Sequence, residues 1–326
     1  MNVLVTGGAG YIGSVTVEAL LARRYRVVVL DDLSTGHRDA VPQEAAFVHG
    51  SVADPDMVAY AVTEHGVDAV LHFAAASLVA ESMARPTLYF RNNTAGSLVL
   101  LDTLERLGVR RFVLSSTAAV YGTPQSIPIA EDAALAPESV YGESKLMIER
   151  ALGWLARTAG FGTTALRYFN AAGASAERGE DHRPESHLVP LVLEAAAGER
   201  EAIEVYGDDY ATPDGTAVRD YVHVLDLADA HVRALERIEP GRAEVFNLGS
   251  GRGYSVREVI DACSRVTGRE IPTRVAPRRA GDPPRLVADG SRARRELGWE
   301  PAHTDLDEIV ASAWAWKRTN PKGYAH

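Results

Sequence analysis

The first half of the chain alternates short apolar runs with longer amphipathic stretches, and this rhythm constrains the fold more than any other feature. Val3 to Thr6, Val27 to Leu30, Phe47 and Val48, Ala69 to Phe73, Phe112 to Ser115 and Thr164 to Leu166 read as buried strands. Between them, Ile12 to Arg23, Pro55 to His65, Pro86 to Leu107 and Val140 to Ala159 have the length and apolar spacing of helices. Parallel strands need a crossover long enough to hold a helix, so this alternation predicts an α/β fold with a doubly wound parallel sheet. After about residue 170 the rhythm fails, and turn-rich pieces such as Gly207 to Gly215 and Pro277 to Pro284 separate shorter helices. A chain of 326 residues exceeds what one core usually organises, so that second half reads as a smaller lobe.

A net charge of −10 argues against broad contact with nucleic acid, so an anionic ligand must meet a local basic cluster. Only Lys145, Lys317 and Lys322 of the 34 basic side chains are lysine, which draws attention to Lys145: arginine replaces a compact ammonium poorly beside a titrating group. Cys263 is the lone cysteine, which excludes an internal disulfide and fits a buried thiol in a reducing compartment. The longest uncharged stretch, Phe112 to Ala130, contains two prolines and several polar residues and is no membrane span. A soluble, cytoplasmic protein is expected.

Gly7, Gly8, Ala9, Gly10, Tyr11, Ile12 and Gly13 follow the first strand and open the first helix, satisfying G-x-G-x-x-G in its proper setting. Glycines there allow a tight turn and let backbone N–H groups approach a pyrophosphate. An acid, Asp31 or Asp32, ends the second strand, where it would accept hydrogen bonds from ribose hydroxyls and repel a 2′-phosphate, favouring NAD over NADP. The fold class is thus a Rossmann-type doubly wound parallel sheet with a smaller C-terminal substrate-binding lobe. Residues 1–170, with a returning segment at about 219–248, form the expected NAD-binding domain; 171–218 and 249–326 form the other lobe.

Tyr141, Gly142, Glu143, Ser144 and Lys145 open another helix, after Ser115, Ser116 and Thr117 at a strand end. Tyr141 and Lys145 share a helix face. A neighbouring ammonium and a cationic nicotinamide would lower the phenol's pKa from about 10, giving a general base usable near neutrality. Thr117 would hold a substrate hydroxyl against that phenol. An ordinary amphipathic helix with an exposed Tyr and Lys is the bland alternative, weakened by the glycine motif in the same chain.

With these motifs in place, the sequence resembles the extended short-chain dehydrogenase/reductase superfamily and, within it, the UDP-galactose 4-epimerases. The resemblance spans nearly the whole chain: GGAGYIGS at the start, HFAA from His72, ESMARP from Glu81, the asparagine pair at Asn92, SSTAAVYG from Ser115, YGESK from Tyr141 and RYFNAAG from Arg167. In the second half it includes GDDYATPDGTAVRDYVHVLDLADAH from Gly207, NLGSG from Asn247, APRRAGDPP from Ala276 and WKRTNPKGY near the end. The second-half motifs are the more specific, since many nucleotide-sugar enzymes share the first set.

The resemblance implies bound NAD, a UDP-hexose substrate and a homodimer packed through the helices holding Leu98 to Leu107 and Met147 to Leu155. It places Gly7, Gly10, Tyr11, Ile12, Asp31, Asp32, Ser51, Val52, Phe73, Ala74, Ala75, Ser77, Asn92, Ser115, Tyr141, Lys145 and Tyr168 around NAD. It places Thr117, Asn170, His187, Leu188, Val189, Tyr206, Arg219, Tyr221, Arg279, Asp282 and Leu286 around the sugar nucleotide, where the two arginines supply forked donors for a diphosphate. Three positions depart from the pattern: Ser51 stands where an adenine-contacting Asp is frequent, Ser77 where a cofactor-binding Lys is frequent, and His187 where an Asn near the phosphates is frequent. His187 could serve as a phosphate donor or as an ordinary loop residue.

The activity so implied is reversible epimerisation at C4 of UDP-galactose and UDP-glucose, through a transient 4-keto sugar and enzyme-held NADH, with Tyr141 as base, Lys145 tuning it and Thr117 orienting O4. A nucleotide-sugar 4,6-dehydratase or decarboxylase is the first rival, but Ala118 and Ala119 stand where such relatives commonly carry acids. A non-catalytic NAD-binding scaffold is the second. It would be expected to lose the tyrosine or lysine that this chain retains.

Overall fold

Both faces of the first strands are apolar, so each must be covered. The computed structural model describes residues 1–279 and 282–324. Its strands are β1 (Asn2–Thr6), β2 (Arg26–Asp31), β3 (Ala46–His49), β4 (Ala69–His72), β5 (Arg111–Thr117), β6 (Gly162–Tyr168), β7 (Asn170–Ala172), β8 (Ile203–Tyr206), β9 (Val218–His223), β10 (Ala243–Leu248), β11 (Gly253–Ser255), β12 (Thr273–Ala276) and β13 (Arg285–Leu286). The α-helices are α1 (Tyr11–Ala22), α2 (Pro55–His65), α3 (Val79–Ala84), α4 (Pro86–Tyr89), α5 (Gly96–Arg106), α6 (Val140–Ala159), α7 (Leu188–Ala197), α8 (Val224–Arg237), α9 (Val256–Thr267) and α10 (Leu306–Thr319).

Seven strands form one parallel sheet in the order β10-β6-β5-β4-β1-β2-β3. Alternation along each strand divides the apolar residues: Val3, Val5, Val29, Leu71, Val113 and Leu166 join one core cluster with residues of α1 and α8, while Leu4, Val28, Leu30, Val70, Phe112 and Leu114 join a second with residues of α2, α5 and α6. The chain runs outward from β1 through β2 to β3, then returns to β4 on β1's other side. The crevice at the C-terminal ends of β1 and β4 is therefore a switch point, where open α/β sheets take their ligands.

The expected helix over Pro86 to Leu107 is split. A π-helical stretch, Phe90–Ala95, lies between α4 and α5 and changes which side chains face inward. The returning segment also divides: α8 packs on α1 and β10 extends the large sheet, whereas β9 pairs with β7, β11 and β13 in a small sheet. Beside that sheet, Val189, Leu193, Tyr221, Val259, Cys263 and Ile309 form a core cluster of their own. Cys263 is buried there, which pushes its thiol up to about 12. No helix among the described residues is long and apolar enough to cross a membrane.

Candidate active site

Immediately after β1 the backbone turns back on itself. Gly7 has φ +73° and donates its N–H to Leu30 O at 3.0 Å, and Gly10 N donates to Gly7 O at 3.2 Å. A Cβ on Gly7 would lie 2.4 Å from Ala74 N, and one on Gly13 would lie 2.2 Å from Gly7 O, so these two glycines let β4's outgoing chain and α1 close on the turn. Gly10 caps α1 without a side chain, leaving the first-turn N–H groups of Tyr11 and Ile12 without intrahelical partners and open to an anion. This cradle fits a dinucleotide pyrophosphate. The Tyr11 phenol is engaged elsewhere: it donates to Gly173 O at 2.5 Å, pinning α1 to the second half of the chain. Asp31 is buried and accepts from Ala9 N and Leu33 N, both at 2.9 Å, so it holds the glycine turn itself; burial pushes its carboxyl above the usual range. Asp32 accepts from Ser34 N at 3.0 Å.

Phe73 N and Ala74 N both donate to Thr6 O, at 2.8 and 3.0 Å, which shapes the chain leaving β4 toward Ala75. The Ser51 hydroxyl accepts weakly from Ala53 N at 3.3 Å, Val52 is a core residue and Ser77 is exposed. The asparagine pair needs a correction: Asn93, not Asn92, is the inward residue. Asn93 is fully buried, donates to Ala76 O at 3.0 Å and to Ser144 Oγ at 3.1 Å, and accepts from Ala76 N at 2.9 Å. Asn92 is exposed and donates to Asn93 Oδ1 at 3.1 Å, a consequence of the π-helical register. A buried chain of contacts not anticipated from sequence continues from there: Ser97 donates to Asn93 O, and His72 joins Ser97 at 2.8 Å and Thr6 at 2.7 Å. Burial, assisted by the Lys145 charge, holds His72 down to about 3, so this ring is neutral.

Tyr141 and Lys145 lie on α6, whose N-cap Ser139 accepts from Gly142 N at 3.1 Å. A Cβ on Gly142 would lie 2.5 Å from Ala119 O, so the glycine of YGESK lets α6 press against the turn Ala118–Tyr121. Thr117 caps that turn, accepting from Ala119 N at 3.1 Å, and its hydroxyl is close enough to the Tyr141 phenol to bear on its titration. Lys145 is buried and donates to Ser115 O at 2.9 Å. Burial brings its ammonium down to about 8, against a smaller opposing pull from Glu149.

The protein groups alone do not lower the pKa of the Tyr141 phenol. Burial raises it, the Tyr168 phenol adds to the rise, and among the protein groups the Thr117 hydroxyl opposes it. Lys145 is turned to the Ser115 carbonyl and does not offset that burial. Ser115 and Tyr168 share a hydrogen bond of 2.5 Å, and burial pushes Tyr168 up to about 12.

A buried ion pair, absent from the sequence reading, fixes α6 to the sheet. Glu149, two turns after Tyr141, receives Arg167 of β6 at 2.5 Å and Ser116 Oγ at 2.5 Å. Arg167 also donates to Tyr121 Oη at 2.9 Å, and Tyr121 donates to Asn247 of β10 at 2.7 Å. With every member partnered, such a network fixes the angle of the helix that carries the tyrosine and lysine.

In the second half of the chain, Arg219 of β9 pairs with Asp282, and it donates to Val218 O at 2.8 Å. Arg279 lies 4.0 Å from the Tyr206 ring, while Tyr206 donates to Glu204 at 2.5 Å. Leu286 pairs in register with Arg219 and packs on the cluster of Ala118, Val120 and Tyr121, which ties the proposed sugar pocket to the Thr117 turn. Asn170 of β7 pairs in register with Tyr221 of β9. Val189 and Tyr221 are core residues, with Leu188 packed against them. The His187 Nδ1 is held by Glu180 at 2.8 Å and Glu185 at 2.9 Å. Burial disfavours its charge, but Glu180 and then Glu185 outweigh burial and hold the imidazole well above its ordinary range.

Residues 3–249 match the model of the family described as "NAD dependent epimerase/dehydratase family". The chain belongs to that family. The UDP-glucose 4-epimerase of Corynebacterium glutamicum is 51% identical over 316 residues, covering 97% of this chain and 95% of that one. Among solved structures, the UDP-glucose 4-epimerase of Brucella ovis in complex with NAD is 45% identical with a TM-score of 0.93, covering 96% of this chain and 97% of that one. The enzyme of Bifidobacterium longum, solved with NAD+ and UDP, is 39% identical with a TM-score of 0.94, over 99% of this chain and 100% of that one.

Proposed function

We propose that this protein is an NAD-dependent isomerase that inverts C4 of UDP-glucose and UDP-galactose reversibly. The observation that carries the reading is the placement of Thr117, Tyr141 and Lys145 together at the C-terminal edge of the sheet, beside the glycine turn, in a chain that resembles UDP-glucose 4-epimerases from end to end.

Thr117 receives the hexose O4 hydroxyl and sets it against the Tyr141 phenol. Tyr141 takes the O4 proton as C4 is oxidised and returns it after the sugar has turned its other face. Lys145, anchored at Ser115 O, places its positive charge beside the ribose and beside the phenol's developing negative charge, and burial of all three groups keeps water away. The first turn of α1 and Asp31 hold the dinucleotide through its pyrophosphate and adenosine ribose. When bound, NAD supplies the hydride acceptor for C4 and the donor that restores it on the opposite face. Arg219, Arg279, Tyr206, Asn170 and Asp282 hold the uridine diphosphate, which stays fixed while the sugar swings. Ala118 and Ala119 offer no acid for elimination at C5 or C6, which disfavours a dehydratase.

Purified protein should convert UDP-galactose to UDP-glucose with no added reductant and no net change in NADH. Failure to convert either sugar defeats the reading. Release of a 4-keto-6-deoxy product instead selects the dehydratase.

The same reading includes a homodimer in the cytoplasm. It is supported by apolar residues left exposed on two helices that pack together, Leu98 and Leu107 at α5 and Met147 and Trp154 on α6, and by the buried unpaired Cys263. Light scattering should return twice the chain mass, falling to one mass for Trp154→Glu.

A further inference from the structure

Away from the proposed reaction site, eight consecutive residues deliver four metal-ligating side chains to one point. Glu180, His182, Glu185 and His187 form the pattern E-x-H-x-x-E-x-H in the segment that leads into α7. One ligand atom from each lies within 4.8 Å of all the others. Both imidazoles present Nδ1 to the same oxygen, Glu180 Oε1, at 3.1 Å from His182 and 2.8 Å from His187. Glu185 faces the same rings with Oε1 at 2.9 Å from His187 and Oε2 at 3.7 Å from His182. The ring centroids are 5.1 Å apart.

We infer that Glu180, His182, Glu185 and His187 form a structural site for one zinc ion. A tetrahedral centre with bonds of about 2.0–2.1 Å to nitrogen and oxygen has neighbouring ligand atoms roughly 3.3–3.4 Å apart. The four His–Glu separations, 2.8 to 3.7 Å, straddle that length. Two carboxylates balance a divalent charge, and two imidazoles favour zinc over magnesium or calcium, which prefer oxygen throughout.

The surroundings point the same way. The carboxylates are nearly enclosed, at 8% and 7% side-chain exposure for Glu180 and Glu185, and two such groups side by side favour positive charge between them, which protonated imidazoles supply without a metal and a divalent ion supplies in their place. Glu185 Oε1 also accepts from Ser186 N at 2.6 Å and His187 N at 2.8 Å, contacts that aim the carboxylate at the cluster. Asp181, between two ligands, is turned elsewhere and accepts from Tyr324 N at 3.0 Å. A cavity of about 80 Å³ lined by Gly173, Glu180, His182, Glu185, Val189 and Trp316 adjoins the cluster. None of Thr117, Tyr141 and Lys145 lines it.

The site would act as a fastener. The Tyr11 ring meets His182 edge-on with centroids 6.4 Å apart, and Tyr11 is the first residue of α1. Zinc at this point would fix the His182 ring on which Tyr11, the first residue of the helix that opens the dinucleotide cradle, rests edge-on.

Zinc titration against a chromophoric chelator, after exhaustive chelation and dialysis of the full chain, tests the inference. One equivalent should bind with a dissociation constant below micromolar, and His182→Gln and His187→Gln should each weaken it at least tenfold. Cobalt(II) should give the intense visible bands of a four-coordinate centre, and zinc should raise the melting temperature of wild type by several degrees, reversibly with chelator. Wild type that binds no zinc at micromolar concentration, or that binds it no more tightly than the His182→Gln/His187→Gln double variant, overturns the site. So does cobalt binding with only the weak bands of a six-coordinate ion. The wild-type measurements decide the matter even if a variant fails to fold.

Discussion

Lys145 and Arg219 are both cations proposed to face the same substrate complex, yet the protein holds them in contrasting ways. Lys145 is buried, its visible partner is a neutral carbonyl, and its nearest helical acid, Glu149, is bound to Arg167. Arg219 is paired with Asp282, and the neighbouring Arg279 lies over the Tyr206 ring. At the reacting end the charge is left uncompensated so that it can act on a proton. At the nucleotide end it is already satisfied, and a diphosphate must share or displace an existing partner. The first arrangement costs folding stability and serves chemistry; the second costs little in the free protein and serves recognition.

The largest expected effect lies at the reacting end. Tyr141→Phe should lower kcat by about a hundred- to ten-thousand-fold while NAD and UDP still bind, because it removes a proton acceptor and little surface. Turnover near wild type together with normal binding would move the base to another group.

Lys145 should reveal the cost directly. An ammonium held at about 8 rather than 10.5 penalises the folded state by on the order of 3 kcal/mol at neutral pH. Between those two values the unfolded chain binds more protons than the folded one, so stability rises with pH across that window. Lys145→Met should therefore be inactive yet more heat-stable than wild type near pH 7, with the advantage shrinking as pH rises from 8 towards 10.5. Thermal melts that show no such convergence would place Lys145 with Arg219 as a compensated charge.

Arg219→Ala should raise KM for the nucleotide sugar by about ten- to a hundredfold, the loss of a charge-assisted hydrogen bond, and leave kcat within a few-fold. An equal fall in kcat would mean that the two ends are not separate in function. The smallest effect is expected at Leu286, which joins them. If Leu286 stands beside the hexose, its intermediate bulk should let UDP-N-acetylglucosamine turn over weakly. Leu286→Tyr should reduce that further by about tenfold, since a methyl-sized difference is worth about 1 to 3 kcal/mol. Comparing kcat/KM for the acetylated and plain sugars in both proteins checks it, and an unchanged ratio removes Leu286 from the pocket.

The contrast also explains what was legible. The reacting end is encoded locally: Gly7 to Gly13 and Tyr141 to Lys145 are contiguous, and strand and helix periods place them, so α6 was readable to its bounds, Val140–Ala159. The resemblance pointed to Asn92, whereas Asn93 is the buried member of the pair, on a π-helical stretch that no period in the sequence announces. Sequence spacing does not reveal burial, which is the largest influence of the protein on the Tyr141 phenol. At the nucleotide end, Arg219 and Asp282 are separated by many residues, and only folding makes them a pair. The cluster at Glu180, His182, Glu185 and His187 did leave a local trace, the alternation of acids and histidines, which the resemblance to a phosphate-binding position obscured.

The position of β10 at the sheet edge bears on how the protein is made. When residue 170 has just been joined, Val3, Val5, Val113 and Leu166 have no α8 over them and β6 has no partner on its outer side. Residue 248 follows roughly 4 to 16 seconds later at about 5–20 residues per second. Throughout that interval the nascent chain displays an apolar face covered only by α1 and an open strand edge, both of which invite pairing with other chains. Residues 171–218 are thus synthesised while the large sheet waits for its last pieces, and chaperone dependence should be greatest in that window.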